Sequence, residues 1–340
     1  MQRNVPMEYV QGDQIRNNLF FSRFNGLNTK TFILPNNEDT IFWYKFSMQV
    51  SSEHVLRVFG NVADPDSPQL HIVSEFFDCT LKEWFLENEN KILHNDSYSS
   101  DLPSKQLVTI IRDLINGMLF LWETVKRDHG ALTADHVCVV GGRAKLINIW
   151  PPDFKDRKPD NICFKDMLVN LFKICWINIP DEVHHLIYYV SECYSGLYLK
   201  QALYHPALLS RSERCDFRIM AEHNARFMGI CISNFILDQY IGKTFLSWKW
   251  RVGEALRGVR DHKPGYNDKK HYDFLRFSRN CVVHLNSPTD SGALISREWL
   301  DHMLNQLQPI FMVAWFEAMI IANVDIPIVQ RSEKTLLSQD

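Results

Sequence analysis

The spacing of apolar residues changes along this chain. In the first hundred residues it is short and broken. "TKTFILP" (29–35) and "QLHIVSEFF" (69–77) are β-branched and aromatic runs between turn formers, which predicts strands. After the polar stretch "NDSYSSDLPS" (95–104), apolar positions 107, 110, 111, 114, 118, 119 and 121 follow helical spacing, with Ser104 as N-cap. "HGALTADHVCVVGGRAKLINIW" (129–150) then reads as a loop and a β-hairpin turned at Gly141-Gly142. From Phe164 the pattern is helical almost throughout, from "KDMLVNLFKICWI" to "TFLSWKWRVGEALRGV", "HYDFLRFSRN" and "SREWLDHMLNQLQPIFMVAWFEAMI". The expected class is α+β, mostly α.

The most apolar stretch, "PIFMVAWFEAMIIANV" (309–324), carries Glu317 and is shorter than the ~20 residues that cross a bilayer. It predicts a buried C-terminal helix in a soluble chain. The N-terminus lacks the apolar run of a signal peptide. Eight cysteines occur with no CxxC pair, so they read as reduced core residues of an intracellular protein, and no metal site is expected. Cytoplasm is the expected compartment, with the nucleus also open.

A net charge of −3 rules out a uniformly basic nucleic-acid binder, but the charge is unevenly placed. Between Ile241 and Asn280 ten Lys and Arg stand against four acids, a window of +6 in a remainder of −9. Such a window suits a polyanion, as it suits a solvated helical surface. The RNA-binding candidates in it are Lys249, Arg251, Lys263, Lys269 and Lys270.

The order of elements, a small β part, a long helix, a hairpin and then helices, resembles that of protein kinases. "HVLRVFGNVADPDSPQLHIVSEFFDCTLKEWF" (54–85) resembles the stretch leading through the kinase hinge. "LINGMLFLWETVKRDHGALTADHVCVV" (114–140) resembles helix E and the catalytic loop. Asp166 falls where the family has a buried helix-F aspartate, and "YHPALLS" (204–210) resembles the end of the fold. The phosphoryl-transfer residues are missing. No GxGxxG is possible, and Lys30 and Lys45 lack the pattern around a phosphate-binding lysine. His-Arg-Asp is replaced by His129-Gly130-Ala131, the metal-binding Asn by His136, and Asp-Phe-Gly by "INIW", with Asn148 in the motif. These positions describe a pseudokinase with an abbreviated N-lobe around residues 20–53, in which binding of ATP or ADP is in doubt, and with His129 as a hydrogen-bonded core residue.

The part after residue 205 resembles the ribonuclease extension of the kinase–endoribonuclease (KEN) family, which includes the unfolded-protein-response sensor and the 2-5A-dependent ribonuclease. The carrying motif is "RNCVVH": Arg279, Asn280 and His284. Tyr266 stands thirteen residues before the arginine, Asp273 sits in "YDFLRF", and "SWKWR" (247–251) and "QPIFMVAWFEAM" (308–319) echo flanking segments. The resemblance implies a degenerate kinase-like domain over 1–204 (N-lobe 1–80, C-lobe 81–204), a ribonuclease domain over 205–328 and a tail over 329–340. It further implies metal-independent RNA cleavage with no cofactor, by attack of the substrate's 2′-hydroxyl to leave a 2′,3′-cyclic phosphate. RNA processing, mRNA decay and unfolded-protein-response-like signalling are the settings it implies.

The residue types suit that chemistry. Histidine changes charge near neutral pH, so His284 fits a general acid. Tyr266 can accept the 2′-proton if an adjacent cation, Lys263, Lys269 or Arg279, lowers its pKa. Arg279 can grip phosphate oxygens, Asn280 supplies neutral hydrogen bonds, and Asp273 orients Arg279, Arg276 or a backbone group. At 100° per residue Asp273, Arg276, Arg279 and Asn280 share one arc of a helix, with Phe274, Leu275 and Phe277 opposite. "CVVH" is expected to leave the helix after Asn280, placing His284 on a loop. The family implies a homodimer that assembles the nuclease site. A second reading is a catalytically silent RNA-binding or dimerising scaffold that pairs with an active relative.

Overall fold

In the computed structural model, residues 8–63, 67–93, 102–149, 158–193, 196–228, 237, 248–262, 265–268, 270–284 and 295–322 are described. The architecture is α+β, with antiparallel sheet toward the N-terminus and helices toward the C-terminus. Two compact units divide between Leu203 and Tyr204.

The first unit begins with strands β1 (Tyr9–Arg16), β2 (Leu19–Phe24) and β3 (Leu27–Pro35), then helix α1 (Glu38–Gln49), then β4 (Val58–Asn61) and β5 (Gln69–Glu75). The sheet is antiparallel in the order β1-β2-β3-β5-β4, with Lys30 opposite Ser74 and Phe32 opposite Ile72. Its inner face and α1 share a core of Leu19, Phe32, Trp43, Ile72 and Phe77. Residues 20–53 are therefore not abbreviated: they hold two strands and a twelve-residue helix. The sequence pattern missed α1 because its aromatic residues are spread round the helix rather than along one stripe. What starts it is Asn37, whose side chain accepts from Thr40 N at 2.9 Å.

Strand β6 (Cys79–Thr80) leads into α2 (Leu81–Glu87), where Thr80 and Glu83 form a reciprocal capping box. Helix α3 (Lys105–Phe120) is capped by Ser104, which accepts from Leu107 N at 3.2 Å. Beside it lies the hairpin of β7 (Val137–Val140) and β8 (Arg143–Leu146). Gly141 and Gly142 both have positive φ, the geometry of a type I′ turn. Asp113 of α3 fixes this hairpin by accepting from Arg143 Nε and Nη2, each at 2.7 Å, and from Ala144 N at 3.0 Å. The approach is close: a Cβ at Gly117 would stand 2.9 Å from Leu146 Cδ1.

Helices α4 (Asp160–Ile174), α5 (Asp181–Ser191) and α6 (Gly196–Ala202) complete the unit. Asp166 is exposed, contrary to the expectation of a buried helix carboxylate there. The buried carboxylate is Asp160, at the first turn of α4, which accepts from His129 N at 2.7 Å and Gly130 N at 3.1 Å. The register was missed because α4 begins before the apolar run that signals it.

The second unit is helical over its described residues. Helix α7 (Arg211–Met228) packs on three later helices, α10 (His271–Val283), α11 (Arg297–Leu307) and α12 (Phe311–Ile321). Two short helices, α8 (Trp248–Arg251) and α9 (Glu254–His262), stand before α10. The segment expected as one helix over 244–259 is thus interrupted at Val252-Gly253, and the final segment breaks between α11 and α12 with a bend of 83°. Among the described residues no single helix is long and apolar enough to cross a membrane. Arg211, Arg214 and Arg218 fall on one face of α7 and converge on Asp301 of α11, with Arg214 Nε at 2.9 Å and Arg218 Nη2 at 2.8 Å. Burial alone would raise the Asp301 pKa, but the guanidinium groups hold it down.

His129 is one source of pH sensitivity in the first unit, beside His54 and His136, whose pKa values burial also lowers. It is fully buried, its Nε2 lies 2.7 Å from the Ile147 carbonyl, and burial pushes its pKa from 6.5 to about 3. A base depressed on folding contributes full stability above its unfolded pKa and loses it as pH falls toward the folded value. The loss between pH 6.5 and about 3 is on the order of 4 kcal/mol. Urea unfolding of the full chain as a function of pH measures it. His129→Gln is expected to be less stable at pH 7 and to show a shallower acid dependence than wild type; parallel pH curves would contradict this.

Candidate active site on helix α10

The site is built on α10 and the turn before it. Gly265 enters the turn at φ +131°, a conformation side chains disfavour, and the next residue, Tyr266, points inward. Its ring packs edge-on against Trp248 of α8 (centroids 6.0 Å apart) and Phe277 of α10 (5.8 Å). Trp248 in turn stacks on Phe277 at 4.7 Å and lies 5.3 Å from Phe274. This aromatic cluster seats the phenol over the polar side of α10, where Asn280 Nδ2 donates to the Tyr266 hydroxyl at 2.6 Å. Arg279 Nη1 donates to Asn280 Oδ1 at 2.9 Å. Arg276 lies over the Tyr266 ring at 5.5 Å and donates to Asp273 Oδ1 at 2.9 Å. The other Asp273 oxygen accepts from Asn267 N at 2.8 Å, which fixes the turn to the helix.

Tyr266, Asp273, Arg276, Arg279 and Asn280 therefore form one connected group. Asp273 acts on both Arg276 and a backbone amide. Phe274, Leu275 and Phe277 are fully buried opposite the polar arc, and because Asp273 and Asn280 are buried as well, α10 is enclosed over most of its circumference.

Two expectations need correction. The helix does not end at Asn280 but continues through Val283, and His284 is its C-cap residue, not part of a free loop. Its N–H donates to the Asn280 carbonyl at 3.0 Å, so the exposed imidazole stands one turn beyond Asn280. β-Branched Val282 and Val283 did not end the helix because Val282 is buried in tertiary contact. The phenol of Tyr266 is also not acidified. Burial raises its pKa, and the Asn280 hydrogen bond only partly offsets this. Lys249 Nζ donates to the Tyr266 carbonyl at 3.2 Å rather than to the phenol.

Of the other cationic candidates, Arg251 donates to the Leu307 carbonyl and Lys270 is exposed at the N-cap of α10. Lys263 and Lys269 lie outside the described residues. Sequence reasoning missed Arg260, whose Nη1 donates to the Lys249 carbonyl at 3.3 Å and ties α9 to α8. No motif marks it; only its place in the basic window did.

In the first unit, His136, Asn148 and Lys30 serve structure. His136 Nδ1 lies 2.7 Å from the Ala131 carbonyl, and its ring faces His129 at 5.8 Å. Asn148 sits in a left-handed backbone conformation. Lys30 is buried at 2% exposure, with its ammonium 4.0 Å from the Phe77 ring centroid and donating to the Asp78 carbonyl at 3.1 Å. Among the described residues no group of three or more His, Cys, Asp or Glu side chains is arranged to hold a metal ion. No protein-family model matches the chain.

The raised phenol pKa is directly testable. Difference absorbance titration of wild type against Tyr266→Phe should place the Tyr266 ionisation above the ordinary tyrosine value of about 10. An ionisation near neutrality would show that a cation reaches the phenolate.

Proposed function

We propose that the protein is an endoribonuclease of the kinase–endoribonuclease type that cuts RNA without a metal ion, and that its first unit is a pseudokinase platform for dimerisation. The single observation that carries the reading is the Tyr266–Asn280–Arg279 chain of hydrogen bonds, with His284 one turn further along the same helix.

The raised phenol pKa changes the roles expected from sequence. A neutral Tyr266 does not act as a phenolate base. Its oxygen accepts from Asn280 and keeps a further lone pair and a proton. It takes the proton of the substrate's 2′-hydroxyl while passing its own to a non-bridging phosphoryl oxygen. The 2′-oxygen forms the new P–O bond, Arg279 and Arg276 hold the phosphoryl oxygen that stays charged, protonated His284 gives its proton to the 5′-oxygen as that P–O bond breaks, and the acidic proton left on the cyclic phosphate is released to water. The products are a 2′,3′-cyclic phosphate and a 5′-hydroxyl.

Incubation with a structured RNA in EDTA tests the reading. Wild type is expected to generate cyclic-phosphate ends, and His284→Ala and Tyr266→Phe are each expected to slow cleavage by about 100-fold or more. RNA binding without turnover in wild type would favour the silent scaffold instead.

A further inference from the structure

Helix α4 turns an apolar stripe toward a groove in the first unit. Cys163, Met167, Leu171 and Ile174 stand at i, i+4, i+8 and i+11, within an arc of about 80°. Together with residues 131–134, whose Leu132 is buried, they line an open cavity of about 360 Å³. Its shape narrows what can fill it. From Cys163 to Ile174 the stripe runs about 16 Å along the helix axis. Spread over that length, the volume leaves a cross-section of roughly 22 Å², the section of one hydrocarbon chain rather than of a ring system. Burial raises the pKa of Cys163, so its thiol stays neutral and presents an apolar sulfur to the groove.

The two ends of the groove differ. Lys158 lines the end where α4 begins, is exposed, and has its carbonyl 3.9 Å from Cys163 Sγ. At the far end Cys175 donates to the Phe85 carbonyl at 3.5 Å, which holds the close of α4 against α2. Leu86, Ile174 and Trp176 beside that contact are 48%, 45% and 95% exposed, so the apolar floor runs out onto an apolar lip. Lys82 also lines the groove, but its ammonium lies 3.9 Å from Asp135 Oδ2. Among the described residues Asp166 is the one acid in the lining, against Lys82 and Lys158. A cationic end, a thin apolar floor and an apolar exit match a molecule with one charged head and one chain.

We propose that this groove binds a single-chain carboxylate, a free fatty acid, with its head group at Lys158 and its chain along α4 toward Ile174. The length of the stripe suits roughly a dozen carbons, given C–C bonds of about 1.5 Å in a zigzag. The site lies in the first unit and is independent of the nuclease reading of the Tyr266 group.

The test titrates the full chain with sodium dodecanoate below its micellar concentration, with hexanoate and the neutral ester 1-dodecanoylglycerol as comparisons. Calorimetry reads binding. Spectra of protein carrying methyl-13C methionine read its place, with Met167→Leu identifying the Met167 signal. Dodecanoate is expected to move that signal, and hexanoate to bind at least about 50-fold more weakly, since each methylene lost from the groove costs about twofold or more. Lys158→Glu should weaken dodecanoate binding about fivefold or more. Asn170→Trp, on the exposed rim of the same stripe, should fill the groove and block binding, whereas Lys173→Glu, outside the lining, should leave it unchanged. No binding by wild type, or a Met167 signal unmoved at saturating dodecanoate, overturns the proposal. So does ester binding as tight as that of the acid, or unchanged affinity in a folded Lys158→Glu or Asn170→Trp protein. None of these readouts involves RNA cleavage, so failure here leaves the nuclease reading standing, and the reverse also holds.

Discussion

The candidate site depends on seating a buried phenol against a buried amide. Asn280 Nδ2 meets the Tyr266 hydroxyl at 2.6 Å, with Trp248 and Phe277 packed edge-on against the tyrosine ring. A neutral hydrogen bond in such surroundings resists water well, and its loss would leave a buried donor unpaired. The same burial that orients the phenol raises its pKa, so this packing favours the neutral phenol over a phenolate. A proton relay through the neutral phenol meets both constraints. Behind it, α7 and α11 are held by three arginines that share the buried carboxylate of Asp301.

The first unit shows the opposite use of polar groups. Asp160 accepts two backbone amides, Asp113 clamps the β7–β8 hairpin, and His129 bonds to a carbonyl while held neutral. Each is a polar group spent on architecture. Lys30 is the strongest case, a cation enclosed by phenylalanine rings and anchored on a main-chain carbonyl.

What could be read from sequence follows the range of the interactions. Ser104 capping α3 and the Gly141-Gly142 turn are local, and both are where the pattern puts them. The polar group Asp273, Arg276, Arg279 and Asn280 was legible as one arc because helical geometry alone brings it together. Long-range effects were not legible. The arginines of α7 look like solvated charges until Asp301, more than eighty residues later, is placed against them. The environment of Tyr266 depends on Trp248, and the extent of α10 depends on a buried Val282. Helix α1 escaped notice because its aromatic residues have no single stripe, and Asp160 because α4 starts ahead of its apolar run.

The central claim is that cleavage uses the substrate's own 2′-hydroxyl at the Tyr266–Asn280–His284 site. The most direct measurement compares a structured RNA with the same oligonucleotide carrying one 2′-deoxy nucleotide at the mapped cleavage position, in EDTA. The account predicts that the all-ribose strand is cut there to a cyclic phosphate, and that the deoxy strand binds equally well and stays whole. Cutting of the deoxy strand at that bond, or cleavage by wild type and His284→Ala at equal rates, would contradict it.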